Sequence, residues 1–316
     1  MSYQDVYSEI TGGEVIVIDG ATGTELQRRG APMHPGSWCA LATESHPDVL
    51  RSIHEDYIRA GARVVTANTF ATTREVLEPV GLGDKFESLN RQAVELAVAA
   101  RDRVSNASRV LVAGSISHTR PARIGAWSPE VSDVAKFEAD CTEMAAIHKS
   151  AGCDLILAEM MGDADYTPCV IRAAKANGLP LWVGLSAIQR RDGILGTYTN
   201  DAVPFADVLA PIIAAGAQGV DVMGIMHTKS ELVSDALEML KGHWSGPLLA
   251  YPDSLQARDQ EADELTFDEV IGEQEFVDYC LRWRDAGVRV LGGCCGFTVS
   301  HIAALSRRLG LRFADN

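Results

Sequence analysis

Cys294 and Cys295 stand side by side in the string Gly292-Gly293-Cys294-Cys295-Gly296. Neighbouring cysteines close a disulfide only under strain. Two thiolates offered from a glycine-flanked turn, by contrast, suit a borderline-soft cation, Zn2+ above all. A zinc centre needs at least a third protein ligand from elsewhere in the chain, and a pair of small buried hydrophobes is the competing reading of the same two residues.

Asp19 and Glu159 carry a second signal, because each ends an otherwise apolar run. A carboxylate in such a place is expensive to bury unless it meets a cation or hydrogen-bond donors, so both suggest contact with a charged ligand such as a substrate ammonium. The plainer alternatives are an Asx-turn or cap at Asp19 and a helix cap at Glu159. Gly20-Ala21-Thr22-Gly23 lacks the G-x-G-x-x-G spacing of a dinucleotide site, though its backbone N–H groups suit a carboxylate. Among the histidines, His118 and His227 follow apolar runs where a ligand or general acid works, whereas His54 sits inside a helical pattern.

The elements that must position these groups are legible from periodicity. Short β-branched runs at 15–18, 62–67, 110–113, 155–158, 181–185, 219–223, 247–251 and 288–291 alternate with helical stretches near 47–60, 84–104, 130–150, 163–176, 201–214, 229–241, 267–285 and 298–308. Ala-Gly pairs at 60–61, 151–152, 215–216 and 286–287 end a helix and turn the chain into the next strand. Eight such repeats without a linker predict one α/β domain over 1–316, a (β/α)8 TIM barrel, with an open doubly wound sheet as the alternative. In a barrel, residues following the strands meet on one rim. The acidic stretch 251–273 reads as a long solvated loop after the seventh strand.

Composition narrows the partners. The net charge of -15, from 43 acidic and 28 basic residues, carries no Lys/Arg cluster, which argues against nucleic acid and anionic membrane surfaces. No apolar run reaches the roughly 18 residues of a membrane span, and the first residues lack a basic, apolar export signal, which together point to the cytoplasm. Seven scattered cysteines are not a disulfide framework. No coiled-coil heptad stands out, and a homo-oligomer is compatible with the pattern.

Taken together, Ile18-Asp19-Gly20-Ala21-Thr22-Gly23-Thr24-Glu25-Leu26, His54 through Asn68-Thr69-Phe70, Ala113-Gly114-Ser115, Glu159, Tyr251-Pro252 and the glycine-flanked cysteines resemble the homocysteine S-methyltransferase family nearly end to end. The resemblance implies a barrel in which zinc binds the thiolate of homocysteine or a related thiol, which then takes a methyl group from a small donor. It further implies that Asp19 and Glu159 hold the substrate amino group, that the Gly20, Ala21 and Thr24 segment holds its carboxylate, and that Asn68 also contacts substrate. A corrinoid or folate route would need a partner protein, since no second half is present to carry those domains.

One departure stands out. The family draws its third zinc ligand from a cysteine after strand six, and here the chain reads Val220-Asp221-Val222-Met223-Gly224-Ile225-Met226-His227-Thr228, with Gly224 aligned to that cysteine and two extra residues beyond. Tyr251-Pro252-Asp253-Ser254-Leu255 also departs from the usual Tyr-Pro-Asn-Ser-Gly. His227 is the expected substitute ligand, giving a Cys2His set, with Asp221 as its rival. The competing expectations are a divergent barrel with an amino-acid pocket doing hydrolytic or lyase chemistry through Asp221, His227 or Asp253, and a zinc-free ligand-binding protein.

Overall fold

Every one of the eight apolar runs forms a strand. In the computed structural model, which describes residues 2–104, 110–118, 133–216, 219–254 and 270–311 with a short hairpin of Arg120–Arg123 and Ala126–Ser128, they are β1 (Ile16–Val17), β2 (Val64–Thr66), β3 (Leu111–Ser117), β4 (Leu155–Met161), β5 (Leu181–Leu185), β6 (Val222–Lys229), β7 (Leu248–Asp253) and β8 (Val288–Leu291). They pair in parallel in the order 1-8-7-6-5-4-3-2. A bridge between Ile18 and Val64 closes the ring, with the Asp19 N–H donating to the Val64 carbonyl at 3.0 Å and the Arg63 N–H to Val17 at 2.7 Å. The barrel is therefore closed, and the open-sheet alternative falls away.

The crossover helices are Pro47–Arg59, Phe86–Arg103, Val134–Ala151, Tyr166–Ala176, Phe205–Gly216, Ser230–Lys241, Glu273–Asp285 and Val299–Arg308. Each lays an apolar stripe on the barrel wall, as Leu50, Ile53 and Tyr57 do from the first of them. Gly152, in the left-handed region at φ 107°, ends one of these helices as its Ala-Gly signature requires. Residues 255–269, most of the acidic stretch after β7, lie outside the described residues, so its expected loop is not described. Among the described residues no helix is long and apolar enough to cross a membrane.

Two features differ from the expected elements. Strands β3, β4 and β6 run further toward the C-terminal rim than their apolar runs, because ladder pairing such as Ser117 with Glu159 continues whatever the side chains are. Polarity here marks the inward-facing rim, not the end of the strand. An extra helix, Tyr3–Thr11, opens the chain and plugs the other end of the barrel with Tyr3, Val6 and Ile10. There the Tyr3 hydroxyl donates to Asp221 at 2.8 Å and accepts from the Trp182 indole at 3.0 Å. Asp221, which also accepts the Leu181 N–H, thus belongs to the floor, a barrel length away from the rim. As a rival zinc ligand or a catalytic group it is excluded by position.

Candidate active site and metal centre

The C-terminal rim opens onto a pocket whose lining includes Asp19, Gly20, Ala21, Asn68, Glu159, His227, Cys294 and Cys295. Thus eight of the nine residues singled out for substrate or metal meet in one place. The ninth, Thr24, stands behind the lining, where its hydroxyl accepts the Gly296 N–H at 3.3 Å and braces the turn that carries the two cysteines. Three residues other than glycine adopt positive φ among the described residues, Trp38 (45°), Met160 (54°) and His227 (40°), and all three line this pocket. Such backbone strain persists only where the surroundings enforce it, which is characteristic of functional sites.

His227 is not in a loop after β6, as its distance from the apolar run suggests, but inside the strand. The pairing of β6 with β7 shifts between Met226 and Lys229, and this bulge absorbs one of the two extra residues. It aims the imidazole at the thiols: Nδ1 lies 3.4 Å from Cys294 Sγ, and Cys294 Sγ lies 3.9 Å from Cys295 Sγ. Ligand atoms of all three fall within 4.8 Å of one another. Gly224, aligned with the family's cysteine, cannot replace it, because a Cβ there would stand 1.9 Å from the Leu249 carbonyl oxygen. The Tyr198 ring packs edge-on against the imidazole at 4.8 Å.

The donor set suits a tetrahedral metal. With Zn–S of about 2.3 Å and Zn–N of about 2.0–2.1 Å, tetrahedral edges are about 3.8 Å for sulfur to sulfur and about 3.5 Å for sulfur to nitrogen. The observed 3.9 and 3.4 Å lie close to both. Charge points the same way. Without a cation, the hydrogen bond with Cys295, burial and the neighbouring sulfur hold the Cys294 thiol well above its usual range, against the pull of His227. Burial lowers the imidazole, but Asp253, Cys294 and Glu159 outweigh it and lift His227 to about 9. A divalent cation inverts this balance, favouring thiolate and neutral imidazole.

Across the pocket, Asp19 and Glu159 are 3% and 8% exposed. Asp19 accepts from the Thr66 N–H at 2.6 Å and the Thr66 hydroxyl at 3.0 Å, so it is neither an Asx-turn nor a cap. Burial lifts its carboxyl to about 7 against those two donors, with Glu159 adding repulsion. Glu159 accepts from the Ser115 hydroxyl, and the Tyr251 hydroxyl faces it without completing a well-aligned bond. Its carboxyl is also lifted to about 7, again by burial. Two buried acids short of a counter-charge make a receptor for an ammonium group.

The other candidates take different parts. Asn68 donates to the Cys39 carbonyl and the Thr43 hydroxyl and accepts from the Cys39 thiol, so it presents a pocket wall while pinning the segment that carries Trp38. The Ala21 N–H is already given to Phe297, which leaves the first turn of the helix Gly23–Arg28 as the amide-rich edge of the pocket. His118 lies outside the lining beside Tyr166, with burial lowering it to about 4. Trp38, Met160 and Met226 also line the pocket, with no sequence pattern that marks them for it. Trp38 has no periodic signal around it, and both methionines pass for ordinary core.

The family model described as homocysteine S-methyltransferase matches residues 16–309. The homocysteine S-methyltransferase of Escherichia coli K12 is 29% identical over 313 residues, covering 93% of this chain and 95% of that protein. The selenocysteine Se-methyltransferase of Brassica oleracea var. italica is 28% identical, covering 95% and 90%. Among solved structures, the metallated form of the homocysteine methyltransferase MmuM from Escherichia coli superposes with a TM-score of 0.73 at 25% identity, covering 93% of this chain and 96% of that one. Since the match begins at β1 and ends within a residue of the last helix, taking in every strand that builds the rim, this chain belongs to the homocysteine S-methyltransferase family.

Proposed function

We propose that the protein is a zinc-dependent S-methyltransferase that moves a methyl group from a small donor to the thiol of homocysteine or a close relative of it. The observation that carries the reading is the meeting of the His227, Cys294 and Cys295 ligand atoms within 4.8 Å, on the wall of a pocket that also holds Asp19 and Glu159. Zinc bound by these three residues would lower the pKa of a coordinating substrate thiol so that it attacks as thiolate at neutral pH.

The chain's own residues account for the rest. Asp19 and Glu159 grip the ammonium, and the amide-rich turn after β1 faces the carboxylate, which together orient the substrate sulfur toward the open side of the Cys2His set. The ammonium supplies the missing counter-charge and so lets both acids ionise. Trp38 and Phe70, edge to face at 6.4 Å, wall the pocket with aromatic surface and exclude water from the transfer. Two thiolates and one imidazole balance the charge of a divalent metal, one negative charge fewer than three thiolates provide, which leaves a bound substrate thiolate less electron-rich.

The test is transfer to homocysteine from a panel of sulfonium, quaternary ammonium and reduced-folate methyl donors, with zinc-loaded and chelator-treated protein. Methionine formed from one donor class by the loaded protein alone is the expected result. No methionine from any donor would overturn the reading.

A further inference from the structure

Met160 and His227, the two strained residues on barrel strands, are linked by one side chain. Met226 precedes His227 and turns across β5 toward β4, where its Sδ accepts the Met160 N–H at 3.2 Å and the Ser186 hydroxyl at 3.0 Å. The same hydroxyl lies 3.0 Å from the Met226 carbonyl. Room for the crossing exists because residue 184 is glycine: a Cβ there would stand 2.5 Å from Met226 Cγ. Met226, Met160 and Ser186 are all fully enclosed, at 1%, 2% and 0% exposure.

A buried N–H left without an acceptor costs free energy, and so does a left-handed backbone at a side-chain-bearing residue. The Met226 thioether satisfies the first at Met160 and thereby holds the second. Met160 directly follows Glu159, so its torsions set where that carboxylate points. His227 directly follows Met226, so the direction of its imidazole depends on how the same residue is anchored. Both β4 and β6 shift register at these points, between Ala158 and Met161 and between Met226 and Lys229. The thioether therefore spans two bulges that carry two different functional groups.

We propose that Met226 is a positioning residue whose thioether, as a hydrogen-bond acceptor, ties the carboxylate of Glu159 to the imidazole of His227, an inference resting on the substrate and metal roles given above. Leucine fills nearly the same volume but accepts nothing, whereas glutamine is a poorer filler that restores an acceptor. The two substitutions therefore separate acceptance from packing.

Zinc affinity by chelator competition and homocysteine affinity by calorimetry are to be measured in wild type, Met226→Leu and Met226→Gln. The wild-type values alone judge the underlying reading, and the ranking of the variants judges this inference. Expected is a loss of at least about fivefold in both affinities for Met226→Leu, with Met226→Gln falling between it and wild type. A leucine variant equal to wild type, or a glutamine variant worse than leucine, is what packing alone produces and would overturn the inference. Should the Met226 variants fail to fold, Ser186→Ala removes the hydroxyl shared by the Met226 thioether and carbonyl: weakened zinc and homocysteine binding supports the anchoring of both groups through Met226, and unchanged binding overturns it.

Discussion

Replacing Glu159 with glutamine separates ligand binding from stability, because the amide keeps the size of the side chain and an acceptor for Ser115 while removing the charge. Burial lifts the Glu159 carboxyl from 4.5 to about 7, against the opposing pull of Ser115, Tyr251 and His227. At roughly 1.4 kcal/mol per tenfold this gap is worth about 3 kcal/mol, an upper bound on what the ionised group costs the ligand-free fold. The folded-state value lies above the unfolded one, so the contribution to stability is fully present below about pH 4.5 and is lost as pH rises through about 7. Near pH 8 the Glu159→Gln protein should therefore melt higher than wild type without ligand, and near pH 5 the two should converge. Homocysteine affinity near pH 8 should move the opposite way, weakening by about 1–3 kcal/mol, the worth of one charge-assisted contact. Thermal melts at the two pH values and a calorimetric titration check both. A variant that melts lower near pH 8 and binds homocysteine like wild type would refute the idea of a buried acid awaiting an ammonium.

Three other outcomes follow from the same geometry. His227, held near 9, and Cys294, held above the usual thiol range, each surrender a proton on metal binding, so apparent zinc affinity should rise by at least about a hundredfold per pH unit between about 6.5 and 8.5; a flat profile in chelator competition contradicts it. Tyr3→Phe removes the hydroxyl shared by Asp221 and Trp182 on the barrel floor and should lower stability in urea by about 1–3 kcal/mol while leaving zinc content unchanged; loss of zinc would return Asp221 to the metal site. Gly224→Cys should fail to fold rather than restore a third thiolate, because its Cβ would lie 1.9 Å from the Leu249 carbonyl oxygen; a soluble, folded variant with normal circular dichroism refutes that.

The barrel was legible because each strand is an apolar run bounded by turn chemistry, and because Ala-Gly pairs such as Ala151-Gly152 mark where helices hand over to strands. Asp19, Glu159 and the cysteine pair were legible for a related reason: charge or thiol at the end of an apolar run is costly without a function. The bulges were not. Nothing in Ile225-Met226-His227-Thr228 distinguishes a loop after a strand from a strand that carries on through a bulge, since register is a property of the neighbouring strands, here β7 and β5. Asn68 shows the converse, a polar rim residue that reads as a ligand contact yet spends its side chain on Cys39 and Thr43. The helix Tyr3–Thr11 was overlooked although its signal was present, with Tyr3, Val6 and Ile10 at helical spacing behind a Ser2–Asp5 capping box.

The most direct test of the account is zinc content, measured after purification without chelator, for wild type, His227→Ala and the Cys294→Ser/Cys295→Ser double variant. About one zinc per wild-type chain is expected, almost none in the double variant, and a metal in His227→Ala that a modest chelator strips from it but not from wild type. Zinc held as tightly in His227→Ala as in wild type would remove the histidine from the metal centre, and zinc absent from all three proteins would contradict the metal centre altogether.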